Sequence, residues 1–479
     1  MTNARFIELT QDFTDDLLFN VIVDSDSYKT SHKRQYPPGT QYVFSYLESR
    51  GGKFDDQVMF GLQYFLKRYL KGVVITEEMI VLAKEMINAH MGSPDAFNEE
   101  GWRYILQEHG GRLPIRICAI AEGTRVRAHN ALVTVVNTDP KCFWLVNYLE
   151  TALMRVWYPI SVATLSRNIR TMIEGYLEQS GTPEKIDFML QDFGSRGVSS
   201  QESAAVGGAA HLVNFKGSDT MVAIPFLYRY YGANGMPSFS VPASEHSTIT
   251  SWGRMRESAA YRNMLTQYPN GIVSIVSDSY DIFNACENIY GVELRESILN
   301  RDGVLVIRPD SGEIIPTILR ILDILGRRFG YTVNSKGYRV LPPQVRVLQG
   351  DGMNFDTIRE LCEALLAAGW SIDNIACFGM GGKLLQGVDR DTLKFAFKCC
   401  AIDINGVWYE VYKDPITDPG KISKRGVVYV LRNADGELET FTQEQLVPVE
   451  GDQLLPVLEN GNMLCEYTLD EIRTRANSK

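Results

Sequence analysis

Along the middle of the chain, short apolar runs alternate with longer amphipathic segments. FMLQDFGSRG (188–197) precedes SSQESAAVGGAAHLVNF, and DTMVAI (219–224) precedes PFLYRYYG. FSV (239–241) leads through PASEHS into a helical pattern, and VSIVSDS (273–279) precedes YDIFNACENIYG. GVLVIRPDSG (303–312), VRVLQGDG (345–352) and IACFGMGG (375–382) repeat the arrangement. The runs are short and often β-branched, as strands buried on both faces are. Asn354 is placed to cap one helix and Gly369 to end it. Such alternation predicts a parallel sheet with right-handed crossovers. Seven βα units fall between about 185 and 395, one short of an eightfold barrel. Because polar residues recur at every strand end, an irregular or incomplete βα barrel of about seven parallel strands is expected rather than an open sheet. All those ends would open on one catalytic face.

The flanks read differently. Short alternating strands (TQYVFSYLESR, PIRICAIAEGTRVRA, ALVTVVNTD) mix with helices at about 60–71 and 77–90, and 143–178 looks helical. Strands return after about 400, with Asn433-Ala434-Asp435-Gly436 as a hairpin turn signal. The α/β barrel (181–395) is thus expected to be inserted in an α+β domain built from both chain ends (1–180 and 396–479). KDPITDPGKISKRG (413–426) is the nearest thing to a mobile loop.

Composition changes the picture by exclusion. At 479 residues, with 45% hydrophobic and 22% charged positions, the chain has ample material for a core without disulfides or a structural metal. No apolar stretch approaches the ~18 residues of a membrane span. The N-terminus MTNARFIELTQDFTDDLLF carries acids where a signal peptide would carry a basic region, so a cytoplasmic location is expected. A net charge of -10 argues against nucleic-acid or anionic-membrane partners but not against a small anionic substrate. The eight cysteines form no CxxC pair and read as reduced thiols. The six histidines form no HxH or HExxH pattern, so no zinc site is expected.

Candidate chemistry gathers at the strand ends. Asp192, Phe193 and Arg196 end the first unit, and Asp219 opens the second strand. Glu245 and His246 follow the third; Ser274 and Asp278 lie in the fourth; Arg308 and Asp310 end the fifth. Gly350, Asp351 and Gly352 end the sixth, and Gly379, Gly381 and Gly382 the seventh. Glycines before helices let backbone N–H groups approach an anion, and a barrel's phosphate site is typically built at its last two strands. The same glycines could simply make tight turns. Arg308 and Asp310 could be a salt bridge, or a phosphate contact and a ribose or cation contact. His246 could be merely hydrogen-bonded, or a phosphoryl acceptor. Phe193 and Tyr28 could be core residues or stacking faces for a planar substrate.

DSDSYKTSHKRQYPP (24–38), QDFGSRGVSSQE (191–202), NFKGSDT (214–220), SVPASEHSTIT (240–250), VSDSYD (276–281), IRPDSG (307–312), QGDG (349–352) and KDPITDP (413–419) resemble the nicotinamide phosphoribosyltransferases, a type II phosphoribosyltransferase family. The resemblance runs from about Asp24 to about Ile472. One departure stands out. The family's vertebrate members carry a Gly-Ser-Gly-Gly-Gly loop, where this chain reads Gly379-Met380-Gly381-Gly382-Lys383.

The resemblance implies condensation of nicotinamide with 5-phosphoribosyl-1-pyrophosphate (PRPP) to nicotinamide mononucleotide and pyrophosphate, in NAD salvage. It implies Mg²⁺, a homodimer with interface sites, and ATP as a coupled substrate through a phosphohistidine at His246. Nicotinamide would stack between Phe193 and Tyr28 of the partner subunit, beside Asp219, Ser274 and Arg308. Asp310, Gly350, Asp351, Gly381, Gly382, Arg390 and Ser240 would hold the phosphoribosyl group. Arg196, His246, Arg308, Arg50, Lys398 and Lys413 would meet pyrophosphate or ATP. His246, Asp310, Arg308 and Asp278 are the catalytic candidates, and the Mg²⁺ ligands stay unassigned. The alternatives are a nicotinate phosphoribosyltransferase on the same fold, a phosphosugar isomerase or lyase, and a non-enzymatic binding or signalling protein. An isomerase or lyase would want a Schiff-base lysine at a strand end, and none is well placed.

Overall fold

The computed structural model describes residues 20–418 and 421–478. The segment 1–19, which carries the signal-peptide argument, lies outside them, as do residues 419 and 420 of the 413–426 stretch. Contacts divide the chain into two compact units. One holds residues up to Ser161, Tyr230–Gly232 and from Asp389 onward; the other holds Val162–Arg229 and Ala233–Val388. The first division falls inside the helix Trp157–Ser180 rather than at its end. No helix among the described residues is long and apolar enough to cross a membrane.

The barrel unit is built on a parallel sheet of six strands. In spatial order they are Gly217–Ser218, Leu190–Asp192, Ile375–Met380, Val345–Gln349, Asp302–Arg308 and Asn270–Val276. The expected third strand, FSV, is reduced to single bridging residues. Phe239 bridges Gly217 on one side and Ala243 bridges Ser274 on the other, both parallel. These bridges join the two edges of the sheet, so the seventh position is present without a regular strand. Val273, Ile275, Leu305, Ile307, Val345, Val347 and Phe378 are fully buried along the strands, which accounts for their unbroken apolar character. Asn354 caps Phe355–Ala367 by accepting from the N–H groups of Asp356 and Thr357. Gly369 follows that helix at φ 72°, a conformation glycine adopts without steric cost.

The second unit needs a correction. The run 219–224 is not a strand: only Gly217–Ser218 is, and Ala223–Tyr231 is already helical. Val222, Ala223 and Ile224 therefore belong to the approach and first turn of a helix, so Asp219 follows its strand instead of opening it. A two-residue strand carries no period of its own, and the apolar residues behind it mimic one.

The flanking unit is centred on a seven-stranded antiparallel sheet. Its order is Val407–Glu410, Phe395–Ile404, Thr40–Ser49, Ala131–Asn137, Ile115–Ala119, Leu455–Glu459, Asn462–Met463. Strands from the C-terminal part thus flank those from the N-terminal part, as the two-ended α+β reading expects. Val427–Arg432 and Leu438–Gln443 form the hairpin whose turn lies at Asn433–Gly436.

Candidate active site

A cavity of about 310 Å³ opens inside the barrel unit. Phe193, Asp219, Ser240, Ser274 and Arg308 line it with Gln191, Cys377 and apolar residues including Leu348 and Val306. The Phe193 ring is accommodated by a missing side chain on the neighbouring strand. A Cβ on Gly379 would overlap Cε2 of that ring and come within 3.1 Å of the Gly350 Cα. The two glycine loops therefore abut, because their strands pair directly. Gly381 and Gly382 follow, and a Cβ on Gly197 would lie 2.8 Å from the Gly382 Cα. Met380 is fully buried and its carbonyl accepts from the Phe193 N–H at 2.9 Å. The Met380 side chain, where this chain departs from the vertebrate loop, thus faces the core, while Lys383 is exposed.

Two polar groups of cavity-lining residues lack a partner. The Ser274 hydroxyl and the Arg308 Nε are buried without a hydrogen-bond partner, a state that is costly unless something else satisfies them. Arg308 is aimed by its Nη2, which donates to the Ser244 carbonyl at 2.8 Å. Burial, and the Asp219 carboxylate after it, push the Cys377 thiol up to about 12. Cys377 is thus a neutral thiol, not a nucleophile.

His246 begins the short helix His246–Thr250. Its Nε2 lies 3.0 Å from Asp278 Oδ1 and its Nδ1 4.0 Å from Asp310 Oδ2. The other Asp278 oxygen accepts from the Asp310 N–H at 3.0 Å and the Ser311 hydroxyl at 2.5 Å. Asp278 is nearly buried; His246 is half exposed. Nε2 is thus engaged by the Asp278 carboxylate, while Nδ1 has no hydrogen bond among the described residues. His246, Asp278 and Asp310 are therefore brought together, and Arg308 reaches the Ser244 carbonyl two residues before His246. Ser240, expected at the phosphoribosyl group, lines the cavity and donates to Asp219 Oδ1 at 2.5 Å. Asp351 is exposed beside Gly350, its carbonyl accepting from Gln349 at 2.9 Å. Arg196 is exposed on the turn after Phe193.

Tyr28, Arg50, Arg390, Lys398 and Lys413 belong to the flanking unit. Tyr28 exposes 57% of its surface. Arg50 pairs with the buried Glu48 at 2.9 Å and keeps a buried Nη2 without a partner. Burial lowers the Lys398 pKa, and Arg50, Lys413 and Lys29 push the same way, so these cations share one neighbourhood. Arg390 is exposed and pairs with Asp391 at 2.9 Å.

Three residues carry geometry that the sequence reading did not assign. The fully buried Asp192 accepts at Oδ1 from the Gly194 N–H (2.7 Å) and at Oδ2 from the Ser218 hydroxyl (3.0 Å). Ser218 Oγ in turn accepts from the Thr220 N–H at 2.9 Å. His211, fully buried, reaches the Gly217 carbonyl through Nε2 and the Ser166 hydroxyl through Nδ1, both at 3.0 Å. Gln191 donates to Asp219 Oδ1 at 3.0 Å.

The only group among the described residues with three close metal-binding side chains is His109, Asp139 and Cys142, in the flanking unit. Burial pushes the Cys142 thiol up to about 12, and Asp139 already accepts from Tyr104, Lys141 and His109, so that trio is accounted for without an ion.

Fold and site together define a barrel enzyme with a cavity whose walls are largely apolar, set beside two glycine loops at the strand ends. The family model described as "Nicotinate phosphoribosyltransferase (NAPRTase) family" matches residues 188–452, and "Nicotinamide phosphoribosyltransferase, N-terminal domain" matches residues 20–117. A nicotinamide phosphoribosyltransferase of Xanthomonas campestris pv. campestris is 50% identical, over 96% of this chain and 99% of its own. One of Acinetobacter baylyi is 33% identical, over 94% and 95%. The crystal structure of nicotinate-nucleotide pyrophosphorylase from Pyrococcus furiosus aligns with a TM-score of 0.61 over 97% of this chain and 96% of that one. At 15% identity it shows the shared fold alone. The chain belongs to the nicotinate phosphoribosyltransferase family.

Proposed function

We propose that this chain joins nicotinamide to PRPP, giving nicotinamide mononucleotide and pyrophosphate in NAD salvage. One observation carries the choice of base: Asp219 lines the same cavity as Phe193, Ser274, whose hydroxyl is unpartnered, and Arg308. A carboxylate accepts from a carboxamide NH₂ and repels nicotinate. At ~4 Å and an effective dielectric of ~20, that repulsion is worth about 4 kcal/mol, close to a thousandfold in selectivity.

The pyridine nitrogen carries no proton, so no general base is required. Catalysis rests on positioning the ring and on preorganised charge at the departing pyrophosphate. Arg308 and Arg196 are suited to that charge, and Asp310 to a ribose hydroxyl or the developing positive charge. Mg²⁺ would neutralise the diphosphate; Asp310, with no hydrogen bond to its carboxylate oxygens among the described residues, is the residue that fits it. A full protein cage is not needed when substrate phosphates supply the other ligands. Nδ1 of His246 is the nitrogen left to accept the γ-phosphoryl group of ATP, releasing ADP. In a homodimer, the exposed ring of Tyr28 of the partner subunit would complete the stack on Phe193.

The test is a two-base assay with PRPP and Mg²⁺. Nicotinamide should be strongly preferred, and Asp219→Asn should narrow that preference by orders of magnitude. An unchanged ratio of kcat/KM values for the two bases would remove Asp219 from base selection. Labelling from γ-³²P ATP should be acid-labile and absent in His246→Ala.

A further inference from the structure

We infer that Gln191 is a positioning residue for base selection: with Ser240 it ties down one oxygen of the Asp219 carboxylate and leaves the other to accept an N–H from an uncharged carboxamide. The inference deepens the proposed function and rests on its reading of Asp219.

Asp219 needs such help because the backbone gives it little. It lies past the end of a two-residue strand, exposed, anchored by its own N–H to the Asp192 carbonyl at 2.9 Å. A backbone anchor fixes the Cα but not the direction of the carboxylate. Two side chains supply the direction. Gln191 Nε2 lies 3.0 Å from Oδ1, and Ser240 Oγ lies 2.5 Å from the same atom. No hydrogen bond reaches Oδ2 among the described residues, and Asp219 forms no ion pair among them. Both donors are neutral, so they orient the carboxylate without cancelling its charge.

The neighbouring strand is shaped for Gln191. Gly217 is its direct partner in the sheet, and a Cβ there would overlap Oε1 of the Gln191 amide. The amide thus occupies the space that a side chain at 217 would take. Its Nε2 also lies 3.5 Å from the Phe239 carbonyl, so one amide nitrogen touches two segments of the rim.

The experiment compares kcat and KM for nicotinamide and nicotinate at saturating PRPP in the full chain and in Gln191→Met, Gln191→Glu and Asp219→Asn. Methionine fills similar space without a donor. Its KM for nicotinamide should rise about tenfold, the loss expected of one charge-assisted hydrogen bond, with kcat falling less than threefold. The nicotinamide preference should fall by about the same factor. In Gln191→Glu, two carboxylates about 3 Å apart share a proton at low pH and repel once both ionise. Its KM relative to the parent should therefore be small near pH 5 and climb toward pH 8. A packing role alone would raise KM equally at both pH values, and that result overturns the inference. Unchanged KM and base preference in Gln191→Met, with the preference lost in Asp219→Asn, also overturns it while leaving the Asp219 reading intact. An unchanged preference in Asp219→Asn removes both.

Discussion

The two arcs of the barrel are held by different means. On one arc, Asn270–Val276 and Asp302–Arg308 pair at seven consecutive positions, and Val345–Gln349 joins them through three more. On the other, Leu190–Asp192 pairs at three positions with its neighbour and two with Gly217–Ser218, and the seventh element is only two bridges. The long arc presents Ser274 and Arg308 on a continuous backbone ladder. The short arc presents Phe193, Asp219 and Ser240 where that ladder has nearly run out, and side chains take over. Asp192 ties Gly194 to Ser218, Ser218 ties Thr220, His211 ties Gly217, and Gln191 ties Asp219. A side-chain change should therefore alter geometry on the short arc and only local chemistry on the long one.

Asp192→Ala should have the largest effect. It strands the buried Gly194 N–H and removes the acceptor of the Ser218 hydroxyl, costing about 4 kcal/mol of stability at 1–3 kcal/mol per unsatisfied group. Phe193 and Asp219 flank those two contacts, so base binding should fall further than the stability loss explains. Urea unfolding and a nicotinamide KM measured well below the unfolding midpoint separate the two. A stable variant with unchanged KM would mean the short arc holds its loops by backbone alone.

The same contrast explains what the sequence made legible. Long-arc strands announce themselves as apolar runs, and Arg308, Asp310 and Gly350 stand at their ends where barrel logic places chemistry. The expected strand at 219–224 failed because Gly217–Ser218 is too short to carry a period, and the helix behind it supplied a false one. Gln191 and His211 left no signal: one is a neutral residue inside a strand, the other a histidine outside any spacing pattern. Their roles come from partners 28 and 6 positions away, through contacts that no local pattern encodes. Ser240, which the resemblance implies at the phosphoribosyl group, has its hydroxyl on Asp219 here, a contact 21 positions apart that no local pattern encodes.

Glu122 tests the idea that a carboxylate can hold a segment the ladder does not reach. In the flanking unit its oxygens accept from the Gly61 and Gln63 N–H groups at 3.1 and 2.6 Å, at the start of the short helix Leu62–Phe65. Complete burial outweighs these donors and pushes its carboxyl from the usual 4.5 to about 7. Between those values the folded protein keeps a proton that the unfolded chain releases. Stability from this group is full below about pH 4.5, falls as pH rises, and levels off above about pH 7, by about 3 kcal/mol in all. Glu122→Gln should remove that slope. Unfolding midpoints at pH 5 and pH 8 should converge in the variant relative to the parent, and a pH-independent gap between the two proteins would contradict the shift.

The smallest effect should come from Ser274→Ala, and that is its value. Ser274 sits mid-strand on the long arc, buried, with its hydroxyl unpartnered. Its backbone is held without the side chain: its N–H donates to the Pro242 carbonyl and its carbonyl accepts from the Ser244 N–H, both at 2.9 Å. Deleting the hydroxyl removes an unsatisfied polar atom, so stability should change by less than about 1 kcal/mol and could rise. Only a ligand that used the hydroxyl would register its loss. The KM for nicotinamide should rise about threefold to tenfold, as for one neutral hydrogen bond. The nicotinamide-over-nicotinate ratio should hold, because an uncharged donor serves the carbonyl oxygen of either base. A stability loss comparable to Asp192→Ala would show that the long arc also depends on its side chains, and the distinction between the arcs would fail there.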